Sequence, residues 1–190
     1  LWTSTGVRSV DHALESLGSL QSNYFCDGVA ESALRLLSLG LPAVKAVPSD
    51  LDARRRCLRG AWQSMIPFIG GVPMGASHAL GHVLGGTADV PHGYCSCVMA
   101  PAVLAFNKPV NGDRQDRISE SFGRSGEDAS TIVDEFIRGL DMPRSLGEVN
   151  VTDDQLEIIA EYTMLDFWAR TNPRTIEGPA DVRQILDMVR

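Results

Sequence analysis

The sequence predicts an all-α fold, and three observations carry that reading. Apolar residues recur every three to four positions along nearly the whole chain, the spacing that lines one face of a helix. Alternating apolar runs joined by hairpin dipeptides, the mark of paired strands, are absent. Helix-starting and helix-stopping residues fall between the periodic segments.

Over residues 7–20, Val10, Leu14 and Leu17 share a face. Asp27 reads as the N-cap of a second helix carrying Val29, Ala30, Ala33, Leu34 and Leu37, which Gly40 and Pro42 stop. Ser49 or Asp50 opens a third through Ala53, Cys57, Ala61 and Met65, with Arg54-Arg55-Arg56 as a solvated face. After the break at Gly70-Gly71-Val72-Pro73, a fourth helix covers Ser77 to Leu84 and ends at Gly85-Gly86. Pro91-His92-Gly93 opens a fifth through Val98, Val103 and Leu104, and Pro109 closes it. Further helices are expected at 113–122, 127–139, 152–168 and 180–189. Thr152 with Gln155 forms a capping box for the third of these, and Pro179 starts the last. With no repeat and no low-complexity tract, the expected organisation is one helical domain over 1–190.

A chain of 190 residues buries a core without help from disulfides or metals. Its 24 acidic against 17 basic residues give a net charge of −7, which disfavours nucleic-acid and anionic-membrane partners. No apolar stretch reaches the roughly 18 residues of a transmembrane helix. Cys26, Cys57, Cys95 and Cys97 form neither a redox C-x-x-C nor a zinc ribbon, so buried free thiols in a reducing, cytoplasmic compartment are expected. The start, Leu1-Trp2-Thr3, lacks the basic and apolar regions of a signal peptide. The expectation is a chain that has been processed, truncated or cut from something longer.

Chemistry concentrates in the histidines. Three of the four, His78, His82 and His92, lie within fifteen residues of one another; the fourth is His12. His78 and His82 are four apart and share a helical face, among small residues that let a ligand or another backbone approach closely. The metalloprotease pattern fails, because Ala79 stands where its glutamate would be. A satisfied structural histidine is the ordinary fate of one such residue, but three in a glycine-rich stretch point to a site.

The segment Gly75-Ala-Ser-His78-Ala-Leu-Gly-His82-Val-Leu-Gly-Gly-Thr-Ala-Asp-Val-Pro-His92-Gly93 resembles the iron-containing alcohol dehydrogenase family, and most of all its maleylacetate reductase-like branch. Thr5-Gly6-Val7-Arg8-Ser9-Val10-Asp11-His12-Ala13-Leu14-Glu15 is similar to that family's first-ligand helix, and Asn172-Pro173-Arg174 to the turn before its last helix. The family has an N-terminal nucleotide-binding α/β domain and a C-terminal helical domain, and the resemblance covers the helical half only. It implies a metal held by an aspartate, a histidine four residues later, and two histidines fourteen apart. The implied histidine ligands are His12, His78 and His92, while His82 takes the place near nicotinamide and substrate that serves in proton transfer.

The aspartate's position holds Arg8. A guanidinium cannot ligate and repels a divalent cation, although three neutral histidines would hold iron or zinc if Arg8 swung away. The maleylacetate reductase branch also lacks the aspartate and works without metal. The expectation is therefore that Arg8 supplies the metal's positive charge to a carbonyl or carboxylate, while His82 or another site histidine moves a proton.

No glycine-rich phosphate loop following a strand occurs, so NAD(P) requires a nucleotide domain supplied elsewhere. Two main readings stand. The chain is the helical part of a carbonyl-reducing oxidoreductase, or it is a stand-alone isomerase, dehydratase or cyclase using the same histidine/arginine pocket for acid–base work. A catalytically inactive binding or dimerisation module is the third. The expected partners are a small carbonyl compound and either a second copy or a separate nucleotide-binding chain, since removing that domain bares an apolar wall.

Overall fold

A computed structural model describes all of residues 1–190, and every regular element in it is helical. The helices are α1 (Trp2–Gly18), α2 (Tyr24–Ala46), α3 (Leu51–Ile69), α4 (Ala76–Ala88), α5 (His92–Ser121), α6 (Ala129–Gly139), α7 (Leu156–Thr163) and α8 (Pro179–Asp187). Short 3₁₀ turns occupy Gly147–Val149, Asp153–Gln155 and Phe167–Thr171. No helix is long and apolar enough to cross a membrane.

The helix starts follow from side-chain oxygens that satisfy otherwise free backbone N–H groups. Asp50 caps α3 by accepting from Asp52 N and Ala53 N at 2.9 and 3.0 Å. Asp128 caps α6 through Thr131 N at 3.0 Å. The cap of α2 is Asn23, which accepts from Cys26 N at 3.0 Å. The expected cap, Asp27, already lies inside that helix, its own N–H bonded to Asn23 O. Its carboxylate instead takes Arg114 and Arg117 of α5, each at 2.6 Å. The Thr152/Gln155 box forms, but on a 3₁₀ turn that leads into α7, and Pro179 begins α8 as expected.

Three expected stops are not stops. α2 runs past Gly40 and Pro42 to Ala46. Gly40 is there for close packing, since a Cβ on it would lie 2.7 Å from Cys57 Sγ of α3. α4 continues through Gly85-Gly86 and ends where Asp89 adopts a left-handed conformation, φ 54°. α5 passes Pro109 and kinks at Asn111 (φ −127°, ψ 31°). Gln115 bridges the kink by donating to Leu104 O and Asn111 Oδ1 at 2.7 and 2.9 Å. In the other direction the 152–168 helix is shorter than expected, with α7 ending at Thr163.

Two apolar cores share α5 as a wall. One gathers Val7, Leu14 and Leu17 of α1 with Leu34, Leu37, Ile118 and Val133. The other gathers Leu80 and Leu84 of α4 with Met99, Phe106, Ile159 and Ile185. All four cysteines are free and buried, and burial pushes the Cys95 and Cys97 thiols up to about 11 and about 12. The candidate site lies where α1, α4 and the start of α5 meet.

Candidate functional site

Helix α1 is buried on two sides. Besides its apolar face it turns a polar stripe, Arg8, Asp11, His12 and Glu15, toward α4 and α5; the i, i+3, i+4, i+7 spacing puts all four on one side. Arg8 and Asp11 are buried, Asp11 completely.

Arg8 Nη1 donates to Ser96 Oγ at 3.0 Å, and Ser96 Oγ donates to Asp11 Oδ2 at 2.7 Å. Ser77 Oγ donates to the same oxygen at 2.8 Å, and Arg8 Nη1 stands 3.6 Å from it. Asp11 Oδ1 has no partner. Burial raises the Asp11 carboxyl above its ordinary range, against the pull of His78 and Arg8. Room for the guanidinium comes from Gly81, where a Cβ would sit 3.3 Å from Arg8 Nη1.

Glu15 closes the start of α4 from a distance. Its carboxylate accepts from Gly75 N and Ser77 N, both at 2.8 Å, and lies 2.7 Å from His78 Nδ1. Burial drives this carboxyl upward and the two backbone donors pull it back. Asn172 completes the cap by accepting from Ala76 N at 3.1 Å, and is itself held by a reciprocal amide pair with Asn107. The Asn172-Pro173-Arg174 turn thus fixes where α4 begins.

The four histidines form two pairs. His12 and His78 lie side by side, ring centroids 4.6 Å apart and tilted by 59°. Burial, joined by the neighbouring Arg8 charge, lowers each to about 3, so both rings are neutral at ordinary pH. His12 Nδ1 and His78 Nε2 are buried without partners. His82 and His92 stack at 6.3 Å, nearly parallel at 11°. Burial and then Arg8 lower His92 as well. His82 Nδ1 lies 2.9 Å from Asp166 Oδ2, and its side chain is 44% exposed. The Arg8 charge is thus felt by His12, His78 and His92 alike.

A divalent metal does not fit these residues. No three His, Cys, Asp or Glu side chains converge as a ligand set. The corner where a carboxylate ligand would complete such a set holds the Arg8 cation.

The sequence brought the four imidazoles and Arg8 to one region. It missed the side chains bonded around them: Asp11, Glu15, Ser77, Ser96 and Asp166. The polar stripe on α1 signals the first two, whereas Ser96 and Asp166 meet the site from 85 and 84 residues away in sequence.

The profile of the Fe-containing alcohol dehydrogenase family, C-terminal part, matches residues 2–189. Maleylacetate reductase of Sphingobium indicum is 30% identical, the match covering 92% of this chain and 49% of that protein. Maleylacetate reductase 2 of Cupriavidus pinatubonensis is 33% identical, over 90% and 47%. The crystal structure of maleylacetate reductase from Rhizobium sp. superposes with a TM-score of 0.88 at 29% identity, over 98% of this chain and 51% of that one. The chain therefore spans about half the length of the relatives it matches. The shared helical architecture, together with a match that runs almost from end to end, shows that the chain belongs to the Fe-containing alcohol dehydrogenase family, as a counterpart of its C-terminal domain.

Proposed function

We propose that this chain is the substrate-side domain of an oxidoreductase that interconverts a small carbonyl compound and its alcohol, with a guanidinium doing the work of the metal. The carrying observation is Arg8, buried, bonded to Ser96 and close to Asp11 on the helix that also carries His12, where the family resemblance implies a metal-ligating carboxylate. A nicotinamide cofactor held by an α/β domain supplies the hydride in this reading. The residues of this chain do not form that dinucleotide site, since it contains no strand and no phosphate loop.

What the chain contributes is charge, shape and a proton. Arg8 polarises a carbonyl oxygen or holds a carboxylate, in a setting where burial strengthens the interaction. His12 and His78, kept neutral, add no competing positive charge. His82, the most accessible ring hydrogen-bonded to a carboxylate, hands its proton to the oxygen as negative charge develops there. The relatives named maleylacetate reductase point to a ketone bearing carboxylates as the first substrate class to test.

The test is turnover of maleylacetate by NAD(P)H with the protein as its gene encodes it, native against Arg8→Gln. The variant is expected to lose about 100-fold or more in kcat, the scale of losing one electrostatic stabiliser of the transition state. Native-like turnover in Arg8→Gln would refute the role.

A further inference from the structure

We propose that Asp166 is a positioning residue that fixes which nitrogen of His82 is left free to exchange a proton; the inference rests on the reaction proposed above. Asp166 stands between α7 and the 167–171 turn, and its two oxygens have separate tasks. Oδ1 accepts from Trp168 N at 2.8 Å, and Oδ2 lies 2.9 Å from His82 Nδ1. The first bond ties the carboxylate to its own backbone. An aromatic cluster then pins that backbone: Trp168 meets Phe167 edge-on at 4.9 Å and Phe68 of α3 at 5.8 Å. The carboxylate is thus held in place independently of His82.

An ionised carboxylate only accepts hydrogen bonds. Nδ1 of His82 must therefore carry a proton, and in the neutral ring Nε2 is left as the free lone pair. Nδ1 makes the ring's hydrogen bond to the protein, and the ring plane is steadied by the parallel His92. Nε2 is thus the atom that takes a proton from solvent and delivers it to the substrate oxygen. The Asp166 carboxylate holds the ring through each transfer and returns it to the same tautomer. The second carboxylate–imidazole pair, Glu15 with His78, has the same form but is buried, with the His78 side chain 4% exposed and that of His82 44%. Only the Asp166 pair is placed to exchange protons with solvent.

Asp166→Asn tests this. The carboxamide oxygen keeps the Trp168 N–H bond, while its NH₂ group presents a donor to Nδ1 and drives the proton of the neutral ring to Nε2. Long-range ¹H–¹⁵N spectra of the histidine-labelled chain report the tautomer without any need for turnover. The native ring is expected as Nδ1–H and the variant ring as Nε2–H. In the gene-encoded protein, kcat should fall about 100-fold or more while KM stays within about threefold, the pattern of a lost proton transfer. Asp166→Glu, which keeps a carboxylate but spoils the backbone cap, should retain more turnover than the asparagine variant; a purely structural role predicts the reverse. A native His82 protonated on Nε2 would overturn the inference alone. A demonstrated tautomer swap with unchanged kcat would overturn both the purpose given to Asp166 and the proton-transfer role of His82.

Discussion

Replacing His12 by glutamine should alter the way stability depends on pH. The His12 ring lies against His78 with Nδ1 buried and unpartnered, and burial, His78 and Arg8 lower it to about 3. In the unfolded chain the same imidazole titrates near about 6.5. Between these values the unfolded state binds a proton that the folded state refuses. Stability therefore falls as pH falls, by about 1.4 kcal/mol per unit for this one group. From pH 6.5 down to pH 4.5 the native chain should lose about 2.3 kcal/mol that the glutamine variant, having nothing to titrate there, does not. The remaining groups are common to both proteins and largely cancel in the comparison. Urea unfolding followed by helical circular dichroism, at steps between about pH 7.5 and 4.5, reads the difference through the midpoint. The two stability curves should run parallel above pH 6.5 and then draw together, or cross, below it. Curves that stay parallel to pH 4.5 would mean that folded His12 accepts a proton freely, and the account of a dry, neutral His12/His78 pair would fail.

Other perturbations follow from the same geometry. Gly93→Ala would put a Cβ 2.7 Å from the Ser4 carbonyl carbon and oxygen of α1, and backbone cannot yield as a side chain does; a loss of about 1–3 kcal/mol is expected in urea melts. Glu15→Gln leaves an amide that accepts from only part of the Gly75 N, Ser77 N and His78 Nδ1 set; the expected cost is about 1–3 kcal/mol, read as a lower Tm. Added Zn²⁺ or Fe²⁺ should leave the Tm unchanged, whereas an ion at a hundredfold its Kd would add about 2.7 kcal/mol. A metal-induced rise that disappears in a His12 or His78 variant would contradict the reading of Arg8.

Helical periodicity made most of the fold legible, because each helix buries one regular face. What it could not resolve was the meaning of glycine and proline. Gly40 and Gly85-Gly86 read as terminators on local grounds, yet Gly40 serves the approach of α2 to α3, a contact invisible until both helices are placed. Pro109 weakens α5, but Gln115 recaptures the bonding lost around the bend. Asp27 has the chemistry of a cap and is spent on Arg114 and Arg117. For the site, the histidine spacing and Arg8 were plain in the sequence. The acids that hold the rings were less so: Asp11 and Glu15 hide in an apolar helix whose polar stripe is easily taken for a wet face, and Asp166 is joined to His82 only by tertiary folding.

One carboxylate, Glu15, both terminates a helix and grips an imidazole. The start of a helix and the setting of a site histidine are therefore welded together at that point. A lineage relaxing the beginning of α4 would lose the orientation of His78 in the same stroke, so drift there should be rarer than burial alone would suggest. Conversely, re-engineering of this scaffold would do better to vary the exposed His82 side of the site and leave the Glu15 clasp alone.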